Sequence, residues 1–379
     1  MQYRTLCGER VSALGFGCMR LPVIDGKADN VDEPETIRLL HHAIDRGVNY
    51  IDTAWGYHGG RSEVAVGEAL AGGLRDRTLV ATKLPTWRIQ SLDDCDPILD
   101  EQLRRLRTDR VDFYMLHTLI GPSWDKLQGL GVPDFLDRAL EGGRIRYVGF
   151  SFHDDIECFK RILDARDWDF CQIQYNYMDE QIQAGTEGLL YAADRGVGVV
   201  VMEPLRGGKL ADPLPEDLEA ERRRLGIEFS PAQLGLRWVM DHPQVAVTLS
   251  GMNAMTQLEE NLAAAEQTPP GSLTDDERRL IAAIRDYYRQ ALKVDCTGCR
   301  YCMPCPHGVN IARTFGLYND MSLYGDPARA RMFYTKSTNP DEWASHCAEC
   351  GQCEERCPQD IEIIEKLKEA HAALTAENG

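Results

Sequence analysis

Three successive apolar runs in this chain each close on a polar side chain, and their spacing constrains the fold more than any other feature. Asn49-Tyr50-Ile51 ends at Asp52, Thr78–Thr82 ends at Lys83, and Val111–Leu116 ends at His117. Asp52 to Lys83 is 31 residues and Lys83 to His117 is 34, close to one strand–helix–strand repeat each time. Any one such residue reads as a solvated strand end. Three in phase, with Tyr57 beside the first, point instead to a shared site. Ser62–Leu70 predicts a helix with Ser62 as its N-cap, which leaves Asp52 and Tyr57 in a strand-to-helix loop. In a parallel α/β barrel such loops gather at the carboxyl face of the sheet.

Those four residue types define a chemistry. A phenol has an unperturbed pKa of about 10, and a nearby ammonium such as Lys83 stabilises the phenolate and lowers it. A lysine in an apolar site needs a counter-ion, which Asp52 supplies. His117 can hold a carbonyl oxygen by one ring N–H while Tyr57 delivers a proton to it. In sequence, spacing and motif (DTAxxY, a strand ending ATK, a strand ending LH) the chain resembles the aldo-keto reductases over roughly residues 1 to 265. The resemblance implies a catalytic tetrad of Asp52, Tyr57, Lys83 and His117.

At 379 residues the chain suits a barrel of roughly 250 residues plus an addition. The expected fold class is α/β, a (β/α)8 TIM barrel followed by a small, mostly α-helical iron–sulfur domain, divided as 1–268 and 269–379. A net charge of −18 argues against nucleic-acid and anionic-membrane partners. The amino terminus lacks a basic start followed by an apolar core, and no run approaches a membrane span, so a cytoplasmic location is expected. Thirteen cysteines without an export signal point to metal or redox use rather than disulfides.

The first ten residues, turning at Gly8-Glu9, predict a hairpin that plugs the barrel floor. Val11–Leu21 predicts the first barrel strand, and Tyr147–Ser151, Phe170–Asn176, Gly198–Glu203 and Val245–Ser250 predict the fifth to eighth. Trp55, Trp87 and Trp124 fall in or near loops at the carboxyl face, either lining a substrate pocket or merely packing.

The family resemblance assigns cofactor contacts along this frame. Gly17, Cys18 and Met19 let the backbone approach a nicotinamide, near Asp52, and Ser151 and Gln174 hold its carboxamide. Met202 stands where many members place an aromatic ring. The turn Pro204-Leu205-Arg206-Gly207-Gly208-Lys209 wraps the pyrophosphate, and Gln257, Glu260 and Asn261 match the adenine side. Gly251 and Gln257 occupy places where some members carry a lysine and an arginine for the 2′-phosphate of NADP. Arg206, Lys209 and Asn253 could share that phosphate, which favours NADPH over NADH.

After Pro269-Pro270-Gly271 the composition changes. Leu273–Leu292 predicts a helix with Thr274 and Glu277 forming a capping box. Cys296, Cys299, Cys302 and Cys305 form one cysteine group, and Cys347, Cys350, Cys353 and Cys357 a second. The second has the bacterial ferredoxin spacing; the first is one residue shorter before its last cysteine, and both end in Cys-Pro. Paired CxxC arms also make zinc sites, but zinc needs only two cysteines per arm. Four per arm with a following proline favours two 4Fe-4S clusters. In two-cluster ferredoxins the fourth cysteine of each run serves the other cluster. That gives Cys296, Cys299, Cys302 and Cys357 to one and Cys347, Cys350, Cys353 and Cys305 to the other.

The expected activity is NAD(P)H-dependent interconversion of a small-molecule carbonyl and an alcohol. The clusters serve either electron transfer with an external donor or acceptor protein, or structure, as a lid. No flavin motif joins one-electron to two-electron chemistry. The alternatives are a nicotinamide-binding, redox-sensing regulatory subunit, or an electron carrier with little carbonyl turnover.

Overall fold

Alternation along short, mostly buried strands decides which side chains this chain turns inward. The computed structural model describes residues 1–323 and 326–376. β1 (Tyr3–Leu6) and β2 (Glu9–Ser12) pair antiparallel as a hairpin. Eight further strands follow: β3 (Leu14–Gly17), β4 (Tyr50–Asp52), β5 (Leu79–Leu84), β6 (Val111–Leu119), β7 (Ile145–Phe152), β8 (Phe170–Gln174), β9 (Gly198–Met202) and β10 (Val245–Ser250). They close into a barrel in chain order, β10 returning to β3, with parallel pairing throughout. Strands buried on both faces read as near-continuous apolar runs, as β6 does with VDFYMLHTL.

The hairpin plugs one end of the barrel, as expected. Leu6 and Val11 join the inner cluster with Tyr50, Phe113, Phe170 and Val200, and a Cβ at Gly198 would overlap Leu6. The predicted first strand, Val11–Leu21, is in fact three pieces. Ser12 breaks it, since its N–H donates to Asn49 and its hydroxyl to the Leu14 carbonyl at 2.7 Å, so β2 and β3 enter different sheets. Beyond β3 the chain makes a 3-10 turn at Cys18–Arg20. Ser62 is not the cap of its helix, Arg61–Ala69. Gly60 takes that place in a left-handed conformation, φ 92°, and the buried Ser62 hydroxyl donates to the Cys18 carbonyl.

The chain divides into two compact units. One comprises Met1–Leu205 and Phe229–Thr274, the other Arg206–Glu228 and Asp275–Gly379. In the second unit the helices Ile311–Leu323, Pro327–Ser337 and Ile363–Thr375 bury Phe315, Tyr334, Ile363, Leu367 and Ala370 in a separate core. The stretch between the two cysteine groups is therefore helical, as the sequence suggests. Among the described residues no helix is long and apolar enough to cross a membrane.

Candidate active site

Strand parity brings the predicted residues to one layer. Tyr50, Ala81, Phe113 and Met115 belong to the inner cluster, whereas Ile51, Val80, Tyr114 and Leu116 pack outward under the helices. Side chains alternate across a strand. Asp52, two residues beyond Tyr50, Lys83, two beyond Ala81, and His117, two beyond Met115, therefore continue the inward rows at the carboxyl ends of β4, β5 and β6. Ser151, Gln174 and Met202 continue the rows of Tyr147, Phe170 and Val200 in the same way.

Asp52 and Lys83 are both buried and joined directly. Lys83 Nζ donates to Asp52 Oδ1 and Oδ2 at 2.8 and 2.9 Å and to the Thr53 carbonyl at 2.8 Å, which uses all three ammonium protons. Burial pushes the Asp52 carboxyl above its ordinary range while the ammonium opposes it. The bidentate geometry makes this an ion pair. Tyr57 lies with its ring centroid 4.9 Å from Lys83 Nζ.

The Tyr57 phenol is held well above its ordinary value, first by burial and then by the charges of Asp52 and Glu203, with Arg20 opposing. The Lys83 ammonium lies over the tyrosine ring, with its protons directed to Asp52 and Thr53. The resting tyrosine is thus the proton-bearing form, the one a proton donor must start from.

His117 is buried, and burial, Lys83 and His153 together hold its imidazole far below the ordinary value, so it is neutral. Its ring stands 5.9 Å from that of Tyr57 and 5.1 Å from that of Trp87. Of the three candidate tryptophans only Trp87 is both exposed and beside a tetrad residue. Trp124 is buried against Trp168, and Trp55 is covered by Arg105 at 4.0 Å.

Burial also pulls His153 down from 6.5 to about 4. For a group whose folded pKa is depressed, the unfolded chain binds the extra proton as pH falls. His153 therefore costs nothing above about pH 6.5 and destabilises progressively from there down to about 4. We expect urea-melt stability to fall by about 1.4 kcal/mol per pH unit from this residue in that window. His153→Gln should flatten the slope, and an unchanged slope would refute the assignment.

A buried polar network behind Lys83 escapes sequence reasoning. Glu63 Oε1 accepts from Thr82 at 2.7 Å and Gln102 at 2.8 Å, and Arg105 reaches Glu63 Oε2 at 3.1 Å. Gln102 also donates to the Lys83 carbonyl at 3.0 Å and accepts from the Tyr114 hydroxyl at 2.8 Å. The only sequence signal is polar residues at positions where two helices and a strand otherwise turn apolar faces inward.

The predicted cofactor residues are placed unevenly. Gly17 pairs with Asp52 in register, and a Cβ there would lie 3.3 Å from the Ser250 carbonyl oxygen; buried Cys18 and half-buried Met19 follow it. Ser151 accepts a hydrogen bond from the Thr118 N–H at 2.7 Å, and Gln174 donates to Asp179 at 2.8 Å. Met202 accepts from Gln172 at 3.5 Å. Pro204 and Leu205 close the first unit before the turn, and Leu205 would meet a Cβ at Gly235. Gly251 backs onto Arg20, Gln257 accepts from the Asn253 N–H, Ser230 donates to Glu260, and Asn261 ties its helix to Ser250 at 3.0 Å. Gly207 and Lys209 fall in the second unit. There Arg206 pairs with Asp295 at 3.2 Å and Lys209 with Asp320 at 3.4 Å. The two cations expected at a 2′-phosphate are therefore already engaged by carboxylates.

In the second unit Cys296, Cys299, Cys302 and Cys357 line one pocket, walled by Ile311, Phe315, Ile361 and Ile363. None of the thirteen cysteines is in a disulfide. Four cysteines on one pocket with apolar walls fit the ligand set of a cubane cluster. Burial raises the Cys353 thiol to about 11, with the neighbouring Glu354 and Cys347 adding to the rise.

Residues 13–285 match the model of the aldo/keto reductase family. The chain belongs to that family. Residues 295–362 match the 4Fe-4S dicluster domain. Among curated relatives it is 28% identical over 282 residues to 6-dehydroglucose reductase of Novosphingobium aromaticivorans, covering 68% of this chain and 87% of that one. It is 26% identical over 279 residues to L-galactose dehydrogenase of Arabidopsis thaliana, covering 69% and 86%. Among solved structures, the holo form of the aldo-keto reductase AKR11C1 from Bacillus halodurans shares 29% identity at a TM-score of 0.62, covering 75% of this chain and 96% of that one. As an aldo/keto reductase this protein is an oxidoreductase. What sets it beside those relatives is the cysteine-bearing second unit, which lies largely beyond the matched span.

Proposed function

We propose that this aldo/keto reductase interconverts a small carbonyl compound and its alcohol, with Tyr57 as proton donor. The observation that carries the reading is the buried Asp52–Lys83 ion pair lying beneath a protonated Tyr57, with neutral His117 beside it. A nicotinamide nucleotide supplies the hydride when bound. Ser151 and Gln174 offer a hydroxyl and a side-chain amide of the kind its carboxamide needs, in the same inward layer as Asp52. Gly17, Gly251, Gln257, Glu260 and Asn261 are the remaining contacts we assign in the first unit.

His117 donates one ring N–H to the substrate oxygen, which fixes the carbonyl against the Tyr57 hydroxyl. As charge builds on that oxygen, Tyr57 passes it a proton, and the phenolate left behind is stabilised by the Lys83 ammonium. Asp52 keeps that ammonium charged and in place. With Arg206 and Lys209 paired and Gly251 and Gln257 uncharged, the ground for preferring NADPH over NADH falls away, and either nucleotide suits the site.

We assign Cys296, Cys299, Cys302 and Cys357 to one 4Fe-4S cluster and Cys305, Cys347, Cys350 and Cys353 to a second. Each cluster, when bound, exchanges single electrons. Nicotinamide absorbance followed against aldehydes, ketones and quinones, with each nucleotide, tests the reading. Turnover of at least one carbonyl class is expected, and tight nucleotide binding without turnover on any of them would replace an enzyme by a sensor.

A further inference from the structure

Backbone parity in β5 leaves the Lys83 carbonyl without a partner in β4. The Leu79 N–H donates to the Asn49 carbonyl and the Ala81 carbonyl accepts from Thr53, so alternate residues of β5 turn their backbone groups toward β4. Lys83 is next in that series, but β4 ends at Asp52. A buried carbonyl left unpaired costs about as much as a lost hydrogen bond, and Lys83 is buried. Gln102, on the helix Cys95–Leu106, fills the gap: its Nε2 donates to the Lys83 carbonyl at 3.0 Å. The same amide donates to Glu63 Oε1 at 2.8 Å, and its oxygen accepts from the Tyr114 hydroxyl at 2.8 Å.

Glu63 joins this arm to the segment that carries Tyr57. Its side chain is fully buried, with Oε1 held by Thr82 and Gln102 and Oε2 by Arg105 at 3.1 Å. Arg105 also donates to the Trp55 carbonyl at 3.4 Å and lies over the Trp55 ring. Trp55 stands two residues before Tyr57. Ser62, the residue before Glu63, works on the other side of the ammonium. Its hydroxyl is 2.8 Å from that of Thr53, whose carbonyl is the third acceptor of Lys83 Nζ. The first turn of the helix Arg61–Ala69 is thus tied to the Lys83 backbone, to an acceptor of its ammonium and to the Tyr57 segment.

We propose that Glu63, Gln102 and Arg105 are positioning residues for proton transfer. They hold the Lys83 main chain and the Tyr57 segment in one frame, so that the ammonium stays on Asp52 and Thr53 with the tyrosine ring against it. They act through Lys83 and Tyr57 rather than on the substrate. Geometry carries the effect, because a displacement of about 1 Å at a reacting pair can cost about 10²-fold in rate. The inference rests on the reading of Tyr57 as proton donor.

The test is a kinetic cycle on the full-length protein, with carbonyl reduction followed by nicotinamide absorbance and nucleotide affinity by fluorescence. Gln102→Met, close in size, should lower kcat about 10- to 100-fold while KM and nucleotide affinity stay near wild type. In a Tyr57→Phe background the same change should cost less than about twofold, since residues acting as one unit are not additive. Glu63→Gln keeps an oxygen for Thr82 and Gln102 and should lose less activity than Glu63→Leu. Glu68→Gln, which removes the surface partner of Arg107 joining the same two helices, should leave kcat unchanged. If Gln102→Met does not fold, Arg105→Gln, at a partly exposed side chain, decides by the same cycle. A folded variant with wild-type kcat, or one that slows the parent and Tyr57→Phe by the same factor, would overturn the positioning role while leaving Tyr57 as donor. A Tyr57→Phe variant as fast as the parent, or a parent that turns over no carbonyl, would overturn both.

Discussion

Tyr57→Phe should lower carbonyl reduction by about 10²–10⁴-fold, the usual weight of a positioned proton donor. The ring that lies 4.9 Å from Lys83 Nζ is kept, so the change removes only the hydroxyl. The Lys83–Asp52 pair makes its three bonds to Asp52 and Thr53 rather than to the tyrosine, so the ion pair should survive. Nucleotide affinity, read by fluorescence, should therefore stay near wild type while kcat/KM collapses. A loss in KM alone would mean that Tyr57 binds substrate without donating to it. A variant as fast as the parent would remove Tyr57 from the chemistry. The phenol's raised pKa adds a second signature: donation should persist to the upper end of the accessible pH range, because the hydroxyl stays protonated there.

Why the barrel was legible in the sequence, while much of the loop detail was not, follows from where each signal resides. Tyr50-Ile51-Asp52, Ala81-Thr82-Lys83 and Met115-Leu116-His117 each set an inner residue, an outer residue and then a polar residue on the inner parity, so the strands carry their own register. Hydrogen bonds made across long sequence separations leave no such trace. Ser62 looked like a cap because serine before a helical run often is one, yet Thr53 and the Cys18 carbonyl claim its hydroxyl and Gly60 starts the helix instead. Gln102 supports Lys83 from 19 residues away, on a helix that reads as simply amphipathic. The net upward shift of the Tyr57 phenol is equally non-local, since it comes from burial and from the Asp52 and Glu203 charges. The turn after β9 looked like a phosphate wrap from its glycines and cations, but Asp295 and Asp320, nearly a hundred or more residues later, engage both charges.

The assignment of cysteines to clusters makes a prediction as large as that for Tyr57. If each run of four served one cluster, Cys357 would belong with Cys347, Cys350 and Cys353. In the structure it lines the pocket of Cys296, Cys299 and Cys302 instead, as the crossed arrangement of two-cluster ferredoxins requires. On that arrangement Cys357→Ala should reduce iron from about eight to about four atoms per chain. Cys296→Ala should do the same, and the double variant should lose no more than either single one. Were the runs independent, the double variant would lose both clusters and bind almost no iron. Cys305→Ala combined with Cys347→Ala is the reciprocal pair, and it too should keep about four irons, now at the Cys296 position. Any structural consequence should fall on the second unit, because the buried side chains beside these cysteines, Ile311, Phe315 and Ile363, belong to its separate core. Far-ultraviolet circular dichroism of the single variants should therefore lose helical signal while nicotinamide binding, assigned here to first-unit residues, is retained. Loss of nucleotide binding in step with iron would show instead that the clusters support the barrel's own site.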